Sequence, residues 1–314
     1  MGYKRVLRFA DEHSAGRRVW AIEGTGNFGA GLTTFLLEHG EWVVEIDRPS
    51  RPARRNGAKT DELDAVRAAR EALSREHLAA PRARGDREAM RVQLSARHGA
   101  IVARTRAISQ MKALIVNAPE QLRDQLRRGT TDQQLDRCSR LRTLPTHSVE
   151  HRATVRAIRS VARRALFLEA EAAEHETDIE QLVMAACPSL LDLSGVGPLA
   201  AAQLTISWSH NGRIRNEAAF AALAGVAPIP ASSGATTRHR LNRSGDRQLN
   251  RALHVIAMSR LQHNPETKAY AARRTAEGKS PRDIKRCLKR AIAREIYKHL
   301  NTNITGQKAV TQVA

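Results

Sequence analysis

Cysteine and aromatic residues are scarce in this chain of 314 residues. It contains 3 cysteines, and aromatic side chains make up 4% of it. The cysteines are scattered, at Cys138, Cys187 and Cys287, and no C-x-x-C pattern joins them. Neither a disulfide framework nor a structural zinc site is therefore indicated, and we expect a reducing cytoplasm.

Long apolar runs are also lacking. The longest, at residues 218–231, is too short to span a bilayer and contains Pro228 and Pro230. The N-terminus leads into charged sequence, which is not typical of a signal peptide. We therefore expect no membrane partner, and a cytoplasmic protein associated with the nucleoid.

Acidic residues are outnumbered, with 32 Asp and Glu against 52 Lys and Arg and a net charge of +20. Such a surplus favours a polyanionic partner, although a ribosome-like or merely arginine-rich protein has the same composition. Hydrophobic residues account for 41% of the chain, which is enough for most of it to fold. A length of 314 residues allows two or three domains. The prevalence of Ala, Leu, Arg and Glu favours helices.

Strand character is confined to residues 17–47. Short apolar runs at 18–22 and 42–46 flank an amphipathic segment that ends at Gly40. This order predicts a βαβ unit, and hence a piece of parallel sheet.

The rest of the chain has helical periodicity. From residue 61 to about 120 the pattern predicts long helices of the coiled-coil or hairpin type. Within it, apolar residues recur every seven positions at Leu94, Ile101, Ile108 and Ile115. A second long helix is predicted over 149–185, and a last one with Ser280 as its cap and Pro281 in its first turn.

Acidic residues lie at or beyond the ends of both predicted strands. Glu23 ends the first strand, and Asp61 and Asp64 lie three apart in a predicted first helical turn capped by Thr60. The helix dipole also favours acids in a first turn, without any ligand. Because a basic chain has little electrostatic reason to gather acids, these three carboxylates predict a site for Mg²⁺, which prefers hard oxygen ligands.

Glycines follow the first strand in the pattern Gly24-x-Gly26-x-x-Gly29, which matches a dinucleotide-binding fingerprint. Asp47 lies at the end of the next strand, where that fingerprint places an acid. A Rossmann domain needs more βα units than this chain offers, so a nucleotide-cofactor enzyme is kept only as an alternative. The glycines are better explained as a tight turn that leaves Glu23 exposed.

Gly195 and Gly197 lie in a G-V-G turn between two predicted helices, a helix-hairpin-helix. Without Cβ atoms in the way, backbone N–H groups approach a phosphate closely, so these glycines are predicted to bind nucleic acid. An ordinary interhelical turn is the alternative.

A serine beside a glycine precedes a group of arginines. Ser233 stands directly before Gly234, and a serine in such a setting can attack a phosphodiester while guanidinium groups stabilise the developing charge. The arginines predicted to bind nucleic acid are Arg238, Arg240, Arg243 and Arg247. A solvated loop with arginines that bind the DNA backbone is the alternative.

The motifs occur in the order E-G-T-G, K-T-D-x-x-D-A, a long helical region, G-V-G, A-G-V-A-P-x-x-x-S-S-G and R-S-G-D-R-x-L-N-R-A-L. In this order the chain resembles the DEDD transposases of bacterial insertion sequences, relatives of the Piv-type DNA invertases. The resemblance implies a RuvC-like N-terminal domain, a C-terminal serine transposase domain, a guide (bridge) RNA and a homo-oligomer. It also implies that Glu23, Asp61 and Asp64 belong to a Mg²⁺-binding acid tetrad, and that Ser233 forms a covalent phosphoserine link to DNA. The implied partners are donor and target DNA.

The first acid of that tetrad has no clear counterpart. In the family it sits on an opening strand in a G-x-D setting, whereas Asp11 lies here in a helix-like polar segment. We therefore expect an N-terminally truncated chain. A catalytically impaired product that binds nucleic acid without cutting it is the alternative function.

The predicted fold class is α/β plus all-α. A partial RNase H/RuvC-like DEDD domain is predicted at 1–80 and a long helical, coiled-coil-like region at 81–185. A helical C-terminal transposase domain with the hairpin and the serine loop follows at 186–302, and a tail at 303–314. The predicted function is that of a transposase or recombinase that cuts and rejoins DNA.

Overall fold

The computed structural model of the chain describes residues 2–14, 16–46, 60–231, 239–240, 242 and 244–303. Helices dominate these residues, with short strands in two places, which agrees with the predicted mixture of α/β and helical parts. The chain forms two compact units, of which the first joins Met1–Glu88 to Ala186–Ala314 and the second is Ala89–Ala185. The first unit thus combines segments that the sequence assigns to separate domains, and those domain boundaries stay a prediction.

The N-terminal part of the first unit contains the predicted βαβ arrangement. Its elements are α1 (Gly2–His13), β1 (Val19–Glu23), α2 (Ala30–Glu38), β2 (Trp42–Ile46) and α3 (Asp61–Ser74). Strands β1 and β2 are parallel, with Val19 opposite Trp42 and Glu23 opposite Ile46. The prediction of a parallel strand pair joined by a helix is confirmed.

Helix α3 covers one face of this strand pair. Ala68 is buried against Val44 and Ile46 of β2, and Ala72 and Ala21 pack beside it. The hydroxyl of Thr60 accepts a hydrogen bond from the N–H of Leu63 at 3.3 Å, which is the predicted cap. Small side chains thus allow α3 to pack closely on the strand pair.

Four helices form the second unit: α4 (Asp86–Val116), α5 (Glu120–Leu126), α6 (Thr131–Ser139) and α7 (Val149–Ala186). The first residues of α4 and the last residue of α7 belong to the first unit. Side-chain pairs show that α4 and α7 run antiparallel: Arg97 binds Glu176, Arg104 binds Glu169, and Gln110 binds Arg164. Met111, Ile115 and Ile158 are buried between the helices. The predicted helical hairpin is therefore present, but residues 75–85 interrupt the helical run predicted from residue 61.

The C-terminal part of the first unit is a helical bundle. Its elements are a 3₁₀ turn (Pro188–Asp192), α8 (Pro198–Trp208), α9 (Glu217–Leu223), β3 (Ile229–Pro230), β4 (His239–Arg240), α10 (Arg247–His263), α11 (Pro265–Ala276) and α12 (Pro281–Asn303). Trp208, Phe220, Leu253 and Ile296 are fully buried in its core. The hydroxyl of Ser280 accepts a hydrogen bond from the N–H of Asp283 at 3.3 Å, so the predicted start of α12 is confirmed.

Polar contacts within the first unit join the N-terminal strands to the loop after α8. The carboxylate of Glu45, on β2, is 3% exposed and accepts hydrogen bonds from Arg82 at 2.9 Å and Arg213 at 2.7 Å. The hydroxyl of Ser209 accepts a hydrogen bond from the N–H of Ala83 at 2.9 Å. Because these contacts are buried or half-buried, they fix the β2 strand against the C-terminal bundle.

No helix in the described part of the chain is long and apolar enough to cross a membrane.

Candidate functional site

The three predicted metal ligands lie on two elements of the first unit. Glu23 is the last residue of β1 and is exposed. Asp61 and Asp64 lie in the first turn of α3, and Asp64 accepts a hydrogen bond from Arg67 at 2.9 Å. Helix α3 packs on β1, so the elements that carry the acids are neighbours.

The donor chemistry of these residues suits Mg²⁺, because carboxylate oxygens are hard ligands. Within the described residues, however, no three His, Cys, Asp or Glu side chains are close enough to hold one metal ion. As they are arranged, the carboxylates do not form a coordination shell, and Asp64 is engaged by Arg67. The shared metal site stays a prediction.

The glycine-rich turn after Glu23 contacts the protein itself. A Cβ atom on Gly29 would lie 2.7 Å from the side chain of Ile22 and 2.9 Å from the carbonyl oxygen of Glu23, so the tight turn requires glycine. A Cβ on Gly26 would lie 2.7 Å from the side chain of Arg82. The space in front of Gly26 is therefore occupied by an arginine rather than open to a dinucleotide. Asp47 of the fingerprint lies outside the described residues.

The two glycines of the G-V-G turn have different surroundings. Gly195 has φ +76°, and a Cβ there would lie 3.1 Å from the carbonyl oxygen of Ile256 on α10. Gly197 precedes α8 with φ −96°, and no atom lies within 4 Å of a Cβ built on it. Gly195 is explained by packing and by its backbone conformation, whereas the approach to Gly197 is open. Nucleic-acid binding by this turn stays a prediction.

In the sequence, Ser233 falls between two short strands, β3 and β4, that pair with each other. In the antiparallel pair of β3 and β4, Ile229 is opposite Arg240 and Pro230 is opposite His239. Ser233, Arg238 and Arg243 lie outside the described residues. Of the other predicted DNA-binding arginines, Arg240 belongs to β4, and Arg247 is exposed at the first residue of α10.

The S-G-D motif before α10 has a structural role. The carboxylate of Asp246 accepts hydrogen bonds from the N–H groups of Gln248 and Leu249 at 2.8 and 3.0 Å, and from the hydroxyl of Ser207 at 2.6 Å. Asp246 therefore caps α10 and ties it to α8. Gly245, at φ +98°, lies against the carbonyl oxygen of Leu223, so a side chain there would meet the end of α9.

A basic groove of about 550 Å³ lies beside the β3–β4 pair. Residues 225–228 of the A-G-V-A-P segment (224–228) form one part of its lining, and α12 forms another. Its basic lining residues are His239, Arg240, Lys279, Arg286, Lys289, Arg290 and Arg294, and its acidic lining residue is Asp283. The sequence shows a basic face on α12 through the four-residue spacing of Arg286, Arg290 and Arg294, but gives that face no role.

Most of the α12 cations in the groove have acidic partners. Arg286 donates to Asp283 at 3.1 Å, and Arg290 and Arg294 donate to Glu217 of α9 at 2.9 and 3.2 Å. The hydrogen bond from Arg290, supported by the one from Arg294, lowers the pKa of Glu217 against the opposing effect of its burial. These pairs orient guanidinium groups along the groove.

Lys289 has a neutral partner. Its ammonium group donates to Oδ1 of Asn250 on α10 at 2.6 Å. The side-chain amide of Asn250 donates in turn to the carbonyl oxygen of Ala224, the first residue of the A-G-V-A-P segment, at 2.7 Å. Partial burial lowers the pKa of Lys289.

Two transposase family models match separate parts of the chain. A family model described as "Transposase IS116/IS110/IS902 family" matches residues 187–272, and a DEDD transposase model of the IS110 type matches residues 2–118. The chain is also similar to the "Insertion element IS110 uncharacterized 43.6 kDa protein" of Streptomyces coelicolor, with 33% identity over 94 residues. That alignment covers 30% of this chain and 23% of the relative, so the similar region spans about a quarter of that protein.

Proposed function

Because the chain belongs to the IS116/IS110/IS902 family of transposases, we propose that it cuts and rejoins DNA during transposition of its own insertion sequence. One observation carries the proposal: a basic groove adjoins the two strands between which Ser233 falls in the sequence. The groove supplies cations for a DNA backbone, and the serine supplies a nucleophile.

DNA binding follows from the charge and the shape of the groove. Arg240 and the basic residues of α12 line a concave surface, and guanidinium groups bind phosphate oxygens with paired hydrogen bonds. Contacts to phosphates position DNA without recognising its sequence. We propose that target choice comes from the guide RNA that the resemblance implies.

In the proposed reaction, the hydroxyl oxygen of Ser233 attacks the scissile phosphorus. A bond forms between the serine oxygen and phosphorus, the bond from phosphorus to one deoxyribose oxygen breaks, and that oxygen leaves with a proton. A free deoxyribose hydroxyl then attacks the phosphoserine, which joins two strands and restores the serine. Guanidinium groups of the groove stabilise the charge that develops on the phosphate.

The acids of the N-terminal part complete the proposal. We propose that Glu23, Asp61 and Asp64 belong to a RuvC-like domain and hold Mg²⁺, which neutralises phosphate charge when bound. The neighbouring positions of α3 and β1 support this assignment. A homo-oligomer acting on donor and target DNA is part of the same proposal.

The nucleophile is tested by trapping the covalent intermediate. We expect end-labelled DNA carrying the element ends, with Mg²⁺ and any cognate RNA, to give a denaturation-resistant protein–DNA adduct. Ser233→Ala should abolish the adduct, whereas the matched variant Ser232→Ala should retain it. Peptide mass spectrometry then locates the phosphoserine.

An adduct formed by Ser233→Ala and lost in Ser232→Ala would move the nucleophile to the neighbouring serine. DNA binding without any adduct in the unmodified protein would instead support the alternative of a product that binds nucleic acid without cutting it.

A further inference from the structure

Carboxylates neutralise three of the four cations that α12 contributes to the groove. Arg286 is paired with Asp283, and Glu217 binds both Arg290 and Arg294. In the free protein these guanidinium groups are therefore already compensated in part. A DNA phosphate would have to compete with Glu217 for two of them.

Lys289 is different from these three residues. Its ammonium group is half-buried, and the partner that the described residues give it is the amide oxygen of Asn250. An amide oxygen satisfies one of the three ammonium donors and brings no negative charge. In the described part of the chain, no carboxylate forms an ion pair with this lysine.

The charge of Lys289, like that of Lys285, acts on a neighbouring histidine. Partial burial, together with the charges of Lys289 and Lys285, lowers the pKa of His254, which lies one turn after Asn250 on α10. A half-buried cation without a counter-ion is unfavourable in the free protein, because it has lost water and has gained no opposite charge. An anion bound in the groove would supply the missing charge.

The position of the ammonium group is fixed from two sides. Asn250 holds it through Oδ1, and the orientation of that amide is set because its NH₂ group donates to the carbonyl oxygen of Ala224. The amide also lies close to Gly225, where a Cβ would be 3.4 Å from Nδ2. Helix α12, helix α10 and the segment that leads to the serine loop thus meet at one hydrogen-bonded chain.

From this arrangement we infer that Lys289 is a phosphate-binding residue of the groove, positioned by Asn250 to contact a non-bridging oxygen of the DNA phosphodiester. The inference rests on the proposed function and specifies its substrate contact. Arg286 and Arg290 flank Lys289 in the lining, so a strand that follows the groove places successive phosphates near several cations.

Chemical footprinting tests the contact directly. The unmodified protein is acetylated with an amine-reactive ester alone, with a short duplex oligonucleotide, or with inorganic phosphate, and each lysine is followed by mass spectrometry. We expect the duplex to slow acetylation of Lys289 about tenfold. The exposed Lys298 of the same helix, outside the groove lining, should react at an unchanged rate.

Variants give the second measurement. Lys289→Met should lower duplex affinity about tenfold at low salt and reduce the slope of log K against log salt by about 1. Lys289→Arg should keep the slope, and Lys298→Met is the matched control. Thermal unfolding of each variant separates lost binding from lost folding.

These outcomes distinguish the contact between Lys289 and phosphate from the proposed action on DNA. If the duplex shifts the protein in a gel but leaves Lys289 as reactive as before, the contact is wrong and the DNA function stands. If inorganic phosphate protects Lys289 and the duplex does not bind, the lysine binds phosphate and the DNA function is wrong. An equal loss of slope in Lys289→Met and Lys298→Met also overturns the inference, since it reports overall charge.

Discussion

At the scale of residues, the buried charge of Glu45 and the half-buried charge of Lys289 have different kinds of partner. Glu45 has two guanidinium partners, Arg213 and Arg82, and is almost completely buried. Burial alone raises the pKa of Glu45, but the two arginines outweigh it and the pKa lies below its usual value. Lys289 has a neutral partner instead, which fits a residue that receives its counter-ion from a ligand.

The Glu45 ion pairs yield a stability prediction. Because the folded-state pKa is depressed, the stabilisation is present above the unfolded value near 4.5 and is lost as pH falls through the lower folded value. Glu45→Gln should lower the free energy of unfolding by about 3 kcal/mol at neutral pH, since it leaves buried guanidinium charge uncompensated. The measurement is urea unfolding followed by circular dichroism, at neutral pH and at about pH 3.

Glu295→Gln is the matched control for this prediction. Glu295 is 43% exposed and pairs with Arg260, so its loss should change stability by less than about 1 kcal/mol. Equal effects of the two substitutions, or a Glu45→Gln variant that keeps the full loss of stability on acidification, would contradict the assignment.

At the scale of elements, local sequence patterns predict those elements whose contacts are local. The βαβ unit, helix α7 and the start of α12 are present as expected, because alternating or four-residue periodicity and capping residues determine them. The break at residues 75–85 is not predictable in this way. It is held by contacts with distant residues, as when the Arg82 N–H donates to the hydroxyl of Thr25 at 3.3 Å.

The G-V-G turn gives a prediction that separates packing from binding. Gly195→Ala should destabilise the protein by about 1–3 kcal/mol, since it places a side chain at positive φ against α10. Gly197→Ala should leave stability nearly unchanged, because the space beside it is open. If the turn binds phosphate, Gly197→Ala should still weaken DNA binding, as measured by fluorescence anisotropy with labelled duplex. Unchanged affinity would leave the turn as an ordinary connection between helices.

The candidate site could be predicted only in part. Arg240 follows from its motif, whereas the groove itself needs residues from the A-G-V-A-P segment, β4 and α12 to meet in space. No local pattern in the sequence links Asn250 to Lys289, which are 39 residues apart. The S-G-D residues belong to a motif of the family resemblance, yet no sequence pattern shows that Asp246 caps α10.

At the scale of the whole molecule, the net charge of +20 favours the polyanionic partner that the proposed function requires. The compact units show how distant segments combine: the N-terminal strands and the C-terminal bundle lie in one unit, and residues 89–185 form the other. The sequence predicts separate domains for these segments. Glu45 and Arg213, whose ion pair joins them, are 168 residues apart, and no local sequence pattern predicts that contact.

The charge predicts strong salt dependence for binding to duplex DNA of unrelated sequence. If about 6–10 phosphates are contacted, affinity should fall by about 10³ to 10⁵ between roughly 50 and 200 mM salt. A titration by fluorescence anisotropy over this range measures the slope. A nearly flat response would contradict binding through the basic groove and would point to a partner recognised by neutral contacts.

The ion pairs of Glu45 also bear on how the protein is made. Arg82 follows Glu45 by 37 residues and Arg213 by 168, so a ribosome delivers the second partner much later than the first. At translation rates of roughly 5–20 residues per second, the 131 residues between the two partners take about 7 to 26 seconds. During that interval the nascent N-terminal strands carry a half-compensated carboxylate and cannot reach their final packing. Translation speed between codons 82 and 213 therefore sets how long a partly folded chain is exposed to chaperones and proteases.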